Sequence, residues 1–529
     1  MKKLYAAFLL LTISSSSIAQ SFSTSNLPII IINTIADSID DEPKIMVEMG
    51  IIENAIGLNN VNDPLNHFEG YCGIEFRGHS SQSFDKKNYS LELWNQLGED
   101  SAVSLLGMGK EEDWILHASH MDRTFMRNPL FYRIWREMGH WASNVRYVEL
   151  IIDGDYRGVY HLMEKIKRDD DRLDIAKLDS NDNAGDSLTG GYIIRMDWPG
   201  GQGWYSSYNA MAGTPLFFQY YYPKEEKITT QQGNYIAGYI EEFEEALFSS
   251  NYTNSQGKRY QEYIDITTFA DLFIVNELSR SVDGYKASSF IHKDKDSKGG
   301  LLKAGPIWDF DLSSGNAEYC DGTATSGWTY LQTAFECDDL DLMPMWWDAF
   351  MADTIFTNHL RCRWESHRLN MLHSDTLSDY IALMVDSVDD GQTRNFQRWN
   401  ILNTPLWAEP SLPGTYAGEV QMLEDWFTAR ITWLDANIPG DCSNDFITIE
   451  EKEKLRILVY PNPVSTTLFV DLATPKFGQI AIYNLCGAQV YAKDFDGTVQ
   501  LNMAFLSPGV YLIEIISEGI SHQEKLIIR

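Results

Sequence analysis

Near Pro439–Ser443 the hydrophobic period of this chain changes, and one fold cannot carry both periods. Upstream, from Trp328 to Ile438, apolar residues recur at helical spacing and tryptophans are frequent (Trp346, Trp347, Trp364, Trp399, Trp407, Trp426, Trp433). Downstream, short alternating runs follow one another: Thr467–Leu472, Gln479–Asn484, Gln489–Ala492, Val499–Asn502, Gly509–Ile515 and Lys525–Ile528. Strands with a period of two, separated by turn residues, bury one face each and pair as a small β-sandwich. The expected organisation is a signal peptide over 1–20, a large domain over 21–441, a linker over 442–457 and a sandwich over 458–529.

Met1-Lys2-Lys3 followed by the apolar run Leu4–Ile13 and Ser14–Gln20 reads as a secretory leader. No later apolar run has the roughly 18 residues of a spanning helix, so the expected mature chain has no transmembrane segment. The formal charge is −33, or −35 without Lys2 and Lys3. A surface this acidic repels nucleic-acid phosphate and favours cationic partners. It makes any nucleotide site depend on a metal and a local basic pocket. The six cysteines are dispersed, without a Cys-x-x-Cys pair, which argues against zinc. In an exported chain a bridge such as Cys320–Cys337 fits the spacing, although sequence does not fix connectivity.

Within the large domain, Ile29–Thr34 and Met46–Ile52 read as buried strands. Gly73–Leu93 reads as strand, small-residue turn and strand. The turn Arg77-Gly78-His79-Ser80-Ser81 offers backbone N–H groups and hydroxyls to an anion, and a lysine early in the second strand supplies a point charge. Extrapolated strand alternation puts Lys87 with Tyr89, Leu91 and Leu93, and Lys86 with Asn88 and Ser90. Lys87 is the preferred phosphate lysine and Lys86 the alternative. A helix is expected from about Asp122 to a stop at Gly139, and a hairpin over Arg146–Glu164 about Asp153-Gly154. Lys167–Asp186 reads as a loop, Gly191–Arg195 as a strand, and Ile228–Leu247 and Asp265–Leu278 as helices. The second helix delivers Asp283 onto a turn, and a hairpin over Phe290–Ala304 leads into Gly305-Pro306-Ile307-Trp308-Asp309-Phe310-Asp311. Read as an extended strand, that stretch points Asp309 and Asp311 the same way, with Asn316 on the following turn. Two carboxylates and a neutral oxygen suit a hard cation such as Mg²⁺.

Taken in order, Arg77–Ser81 with Lys86–Tyr89, Tyr156–Tyr160 with Glu164, Val282–Tyr285 and Gly305–Asn316 resemble the CotH family of secreted kinases. That resemblance implies an α+β, atypical protein-kinase-like two-lobed domain that transfers the γ-phosphoryl of ATP to Ser or Thr of a surface or secreted protein. It implies Asp283 as catalytic base, Asp309 as ligand of Mg²⁺ or Mn²⁺, and Arg77, Ser80, Ser81 and Lys87 along the phosphates. Glu137 and Glu164 both qualify as the carboxylate paired with the lysine, and Glu164 joins the nucleotide-binding set. Ordinary kinases carry Asn five residues after the catalytic Asp. Here Ser288 stands at that spacing, which leaves Asp311 or Asn316 to complete the metal site. The alternative is a surface binding or adhesion protein on the same scaffold without catalysis. The sandwich, expected to be Ig-like, resembles the sorting domain of the type IX secretion system of Bacteroidetes-like bacteria through Val459–Pro463, Tyr483-Asn484 and Ser507–Tyr511. It implies export through the periplasm to the surface or medium, with the type IX machinery as partner.

Overall fold

The structure is a computed structural model that describes residues 22–35, 38–331, 337, 342–408 and 412–444. In the C-terminal region it describes 457–460, 464, 466–472, 477–483, 489–496, 499–507, 509–517 and 520–528. The leader over 1–20, Pro461–Pro463, Asn484 and Pro508 lie outside the described residues. Contacts divide the chain into two compact units, with the break between Asp445 and Phe446.

The first unit begins with a closed seven-stranded barrel. Around its wall run Val145–Ile152, Asp155–Glu164, Asp113–His117, Asn88–Trp94, Phe68–Arg77, Ile45–Ile52 and Ile29–Thr34. The closing pair, Ile29–Thr34 on Val145–Ile152, is parallel. The other pairs are antiparallel. Ile30 and Ile32 point into the barrel core, while Ile29 packs outside against Ile52 and Ile151. Burial on both faces is why this strand reads as an unbroken apolar run instead of an alternation. The hairpin between Ile152 and Asp155 turns on Asp153 and Gly154, both at positive φ (51° and 74°), as a two-residue loop with the twist of its strands demands.

Helix α1 spans Arg127–Glu137, five residues later than the sequence reading placed its start. Phe125 has φ 61°, outside the helical region. Asp122 accepts hydrogen bonds from the N–H of Thr124 (3.1 Å) and of Arg127 (2.8 Å), folding the preceding segment into a loop. A five-stranded antiparallel sheet follows in the order Gly203–Asn209, Pro215–Tyr222, Tyr192–Met196, Ser289–Lys293, Leu302–Ala304. Helices α2 (Thr230–Phe248), α3 (Ile266–Ser279), α4 (Trp346–Ala352), α5 (Thr354–Arg368), α6 (Ser374–Arg398) and α7 (Tyr416–Asn437) complete the unit. All of α3 except Thr267 is buried, so this helix is the centre of the large core. Disulfides join Cys320 to Cys337 and Cys362 to Cys442.

The expected strand over Trp308–Leu312 is absent. Gly305–Phe310 lies outside regular structure, and Asp309 takes the left-handed conformation (φ 68°). Strand alternation therefore does not apply to Asp309 and Asp311. It does not apply to Lys86 and Lys87 either, because residues 84–86 bend and the strand begins only at Asn88.

The second unit consists of two sheets, Ile457–Tyr460, Thr467–Leu472, Val499–Asn502 and Gln489–Asp496, Phe477–Tyr483, Gly509–Ser517, Ile520–Ile528. Alternate residues from both, including Leu468, Val470, Ile480, Ile482, Ile513 and Leu526, share one apolar core. That common core makes the pair of sheets a sandwich.

Candidate active site

α3 ends at Arg280, whose left-handed φ of 45° turns the chain into the loop that carries Asp283. The root of this loop is held from below. Buried Glu277 accepts from the Tyr285 hydroxyl (3.0 Å), from the N–H of Thr329 (2.8 Å) and from Arg430 (3.0 Å). Its side is stitched to the second acidic loop. The N–H of Val282 donates to Leu312 (3.2 Å), that of Ser314 to Ser279 (2.6 Å), and the Ser288 hydroxyl to Asp309 Oδ2 (3.4 Å). Asp283, Ser288, Trp308 and Phe310 consequently line one small pocket. The structure thus brings half-buried Asp283 and Asp309 onto adjoining loops, and the residue found where ordinary kinases carry Asn touches Asp309.

Asp309 sits half-buried beside Asp311, with His117 and Arg77 within electrostatic reach. Burial and the charge of Asp311 push its carboxyl up to about 6, against the pull of His117 and Arg77. Asp311 is held differently. His117 Nε2 lies 2.9 Å from its Oδ2, and Asn128 donates to its Oδ1 (2.9 Å). Burial alone would lower the His117 pKa, but the charge and hydrogen bond of Asp311, with Asp309 behind, hold it above its ordinary value. Asn128 also accepts from the N–H of Phe310 (2.8 Å), so one amide fixes both the loop backbone and the acid on it. The buried Arg127 guanidinium donates to the carbonyls of Ser313 (2.9 Å) and Ser314 (3.3 Å), which anchors the same loop on α1. Asn316 uses its amide N–H groups on the carbonyls of Met121 and Asp311 (both 2.8 Å), and so ties the turn together.

Of the residues expected along phosphates, Arg77 is the one beside this centre: its guanidinium lies 5.8 Å from the Trp308 ring, which also stacks on Tyr132. Ser81 donates to the Arg77 carbonyl (3.5 Å), and exposed Ser80 accepts from the Ser83 hydroxyl through its own carbonyl (2.7 Å). Half-buried Lys87 donates to the Gln82 carbonyl (2.6 Å). It forms no ion pair among the described residues. Lys86 is the inward lysine, its ammonium on the carbonyls of Ala118 (2.7 Å) and Val159 (2.5 Å) and close to the Phe125 and Tyr160 rings. Burial drives its pKa well below the ordinary lysine value, with Glu149 opposing. Neither candidate carboxylate meets Lys87. Glu137 binds Arg133 (3.1 Å) and the Tyr380 hydroxyl (2.6 Å). Fully buried Glu164 accepts twice from Asn144 through Oε2 and leaves Oε1 without a partner.

Among the described residues, the one group of three acidic or imidazole side chains close enough to enclose an ion is Glu111, Glu112 and Asp113. Its centre is taken by the Lys167 ammonium, at 2.8, 2.5 and 2.9 Å. Asp309 and Asp311 are the pair whose chemistry could take a cation. Their mutual repulsion in a half-buried site calls for positive charge, and Mg²⁺ characteristically takes one or two carboxylates and completes its shell with water and phosphate.

Sequence reading missed His117 and Asn128. The signal for His117 was a polar residue closing the apolar strand Trp114-Ile115-Leu116; Asn128 carried none.

The family model described as CotH kinase protein matches residues 74–434. That described as secretion system C-terminal sorting domain matches residues 458–529. No curated protein matches the chain.

Proposed function

The chain belongs to the CotH kinase protein family and ends in a secretion-system sorting domain, and on that premise we propose that it transfers the γ-phosphoryl group of ATP to Ser or Thr of a surface or secreted protein. The barrel and the helical part then act as the two lobes of an atypical kinase, and the C-terminal sandwich as an Ig-like export signal. The observation that carries this reading is the burial of Asp309 against Asp311 on a loop hydrogen-bonded to the loop of Asp283. A carboxylate whose ionisation is opposed by burial and by a second, separately held carboxylate is what metal-assisted phosphoryl transfer asks of a protein.

In this reading Asp309 and Asp311 would hold Mg²⁺ or Mn²⁺, which supplies charge neutralisation on the phosphates. Asp283 orients the acceptor hydroxyl and takes its proton. Arg77 offers its guanidinium to the transferring oxygens, a contact that gains strength as charge develops there. His117 and Asn128 keep Asp311 from turning away. Lys87 reaches an anion by exchanging its bond to the Gln82 carbonyl, whereas Lys86 stays on its two carbonyls and steadies the turn from inside. The sorting domain directs the protein through type IX secretion to the surface or medium. Among the described residues, no helix is long and apolar enough to cross a membrane.

The test is transfer of labelled γ-phosphate by the full chain with Mg²⁺ or Mn²⁺, beside Asp283→Ala and Asp309→Ala. Label on the protein or on an added Ser-rich basic acceptor, lost in both variants, supports the reading. Absence of transfer together with absence of metal-dependent nucleotide binding by calorimetry replaces it with a binding or adhesion protein.

A further inference from the structure

The barrel has a second feature, toward the strand ends opposite Arg77. Strand register sets four outward side chains in a lateral row across four strands: Asn33 beside Glu48, Glu48 beside Tyr71, and Tyr71 beside Trp94. Their chain neighbours Ile32, Met49, Cys72 and Leu93 point into the barrel core, so alternation turns the row outward. The row lines a groove of about 620 Å³. Tyr71 precedes Arg77 by six residues on one strand, about 20 Å at ~3.3 Å per residue, so the groove is separate from the Asp309 site.

We propose that this groove binds a short, uncharged oligosaccharide. The first argument is the aromatic pair. A side chain at Gly73 would strike the Trp94 ring, so the bare backbone there lets the indole lie down on the barrel wall while it also lines the groove. Half-buried Tyr71 stands next to it on the neighbouring strand. Rigid rings that present an apolar surface beside a polar tip suit a sugar, whose C–H face is apolar and whose rim is hydroxylated.

The second argument is the polar complement. The side chains of Asn33, Glu48, Glu69 and Tyr71 make no hydrogen bond or ion pair among the described residues, and the first three are exposed. An amide, two carboxylates and a phenol together donate to and accept from hydroxyl groups, which are themselves donors and acceptors. The third argument is charge. Among the described residues lining the groove there is no lysine or arginine to balance Glu48 and Glu69. That excludes phosphate, sulfate and uronate ligands. The amide donor makes a ligand with acceptors a better match than a peptide ammonium, which only donates. A pocket of this size with few converging polar groups is typical of small-ligand sites.

Calorimetry on the full chain tests this with cellotetraose, maltotetraose and chitotetraose as probes, tetragalacturonate as the anionic comparison and a Lys/Arg-rich hexapeptide as the cationic one. At least one neutral tetrasaccharide is expected to bind. Its affinity should fall by about tenfold or more in Trp94→Ala and in Glu48→Lys. Glu48 is exposed, so Glu48→Lys leaves the barrel core intact, and an unchanged melting temperature checks that. The proposal is overturned if none of the three neutral probes binds, if both variants bind as the parent does, or if tetragalacturonate binds as tightly as the best neutral probe. It is equally overturned if the hexapeptide alone binds and Glu48→Lys abolishes that binding, which would make the groove a docking site for basic segments.

Discussion

Asp271 in the middle of α3 and Asp309 on the loop beside it are both carboxylates withdrawn from water, and their surroundings are opposite. Asp271, fully buried, accepts from His140 (2.7 Å), His367 (2.9 Å) and Arg363 through two nitrogens (2.9 and 2.7 Å). Burial opposes ionisation there, yet these donors hold the pKa far below the usual carboxylate range. Asp309 has a second acid as its strongest charged neighbour and is pushed up to about 6. A buried charge that serves the fold is surrounded by partners. Asp309, to which the proposed reading gives a part in the chemistry, is buried beside a second acid, and in that reading a cation from outside relieves the repulsion.

The largest effect separating the two falls on Asp271. Asp271→Ala leaves a guanidinium and two imidazoles facing a cavity, and losing one partner of a buried ionic cluster costs about 3–5 kcal/mol. Thermal unfolding should show a melting temperature lowered by many degrees or no folded protein; a small change would make the network as dispensable as a surface pair. At Asp309 the expectation reverses. Asp309→Asn removes a repulsion, so the melting temperature should hold or rise, while phosphoryl transfer falls by ~10²–10³-fold, about 2.7–4 kcal/mol of transition-state stabilisation. A drop in stability without loss of transfer would erase the contrast.

Glu244 is an intermediate case, a buried carboxylate with two neutral donors, Ser206 (2.6 Å) and Trp346 (2.9 Å), and a pKa pushed up to about 7, chiefly by burial. The native state then holds a proton that the unfolded chain releases near pH 4.5. Its contribution to stability is full below that pH and is lost as pH rises toward 7, on the order of 2–3 kcal/mol. Glu244→Gln should flatten melting temperature against pH between 4 and 8; an unaltered slope would place the titration elsewhere. The smallest effect is expected from Asn128→Ala, about 1–3 kcal/mol for the unpaired Phe310 N–H and the loosened Asp311. Transfer should drop more than stability does, measured as kcat against melting temperature, and the reverse would make Asn128 a packing residue only.

Much of the scaffold was legible because its signals are local. The run Ile29–Thr34, the Asp153-Gly154 turn, the stop at Gly139 and the alternation after Tyr460 each depend on a few adjacent residues. The Gly203–Asn209 and Pro215–Tyr222 strands were missed, although Leu216-Phe217-Phe218 and Tyr220-Tyr221-Tyr222 carry the aromatic richness of strands. Alternation misplaced Lys86 and Lys87 because it was extended across the bend at 84–86, where it has no force. It misjudged Asp309 for the same reason, at a residue with φ 68°.

The order of Arg77, Asp283, Asp309 and Asp311 along the chain, and the change of period that sets off the last strands, were decided by the sequence alone, since both are properties of neighbouring residues. Tertiary structure decided the closure of the barrel by a parallel pair between Ile29–Thr34 and Val145–Ile152, and which lysine turns inward. It also decided which groups hold Asp311. His117 lies 194 residues away from it and Asn128 183 residues away, separations at which side chains meet only after the strands and α1 have packed. Hydrogen bonds and charge act through space over a few ångströms, and the chain gives no local sign of what folding will bring within that reach.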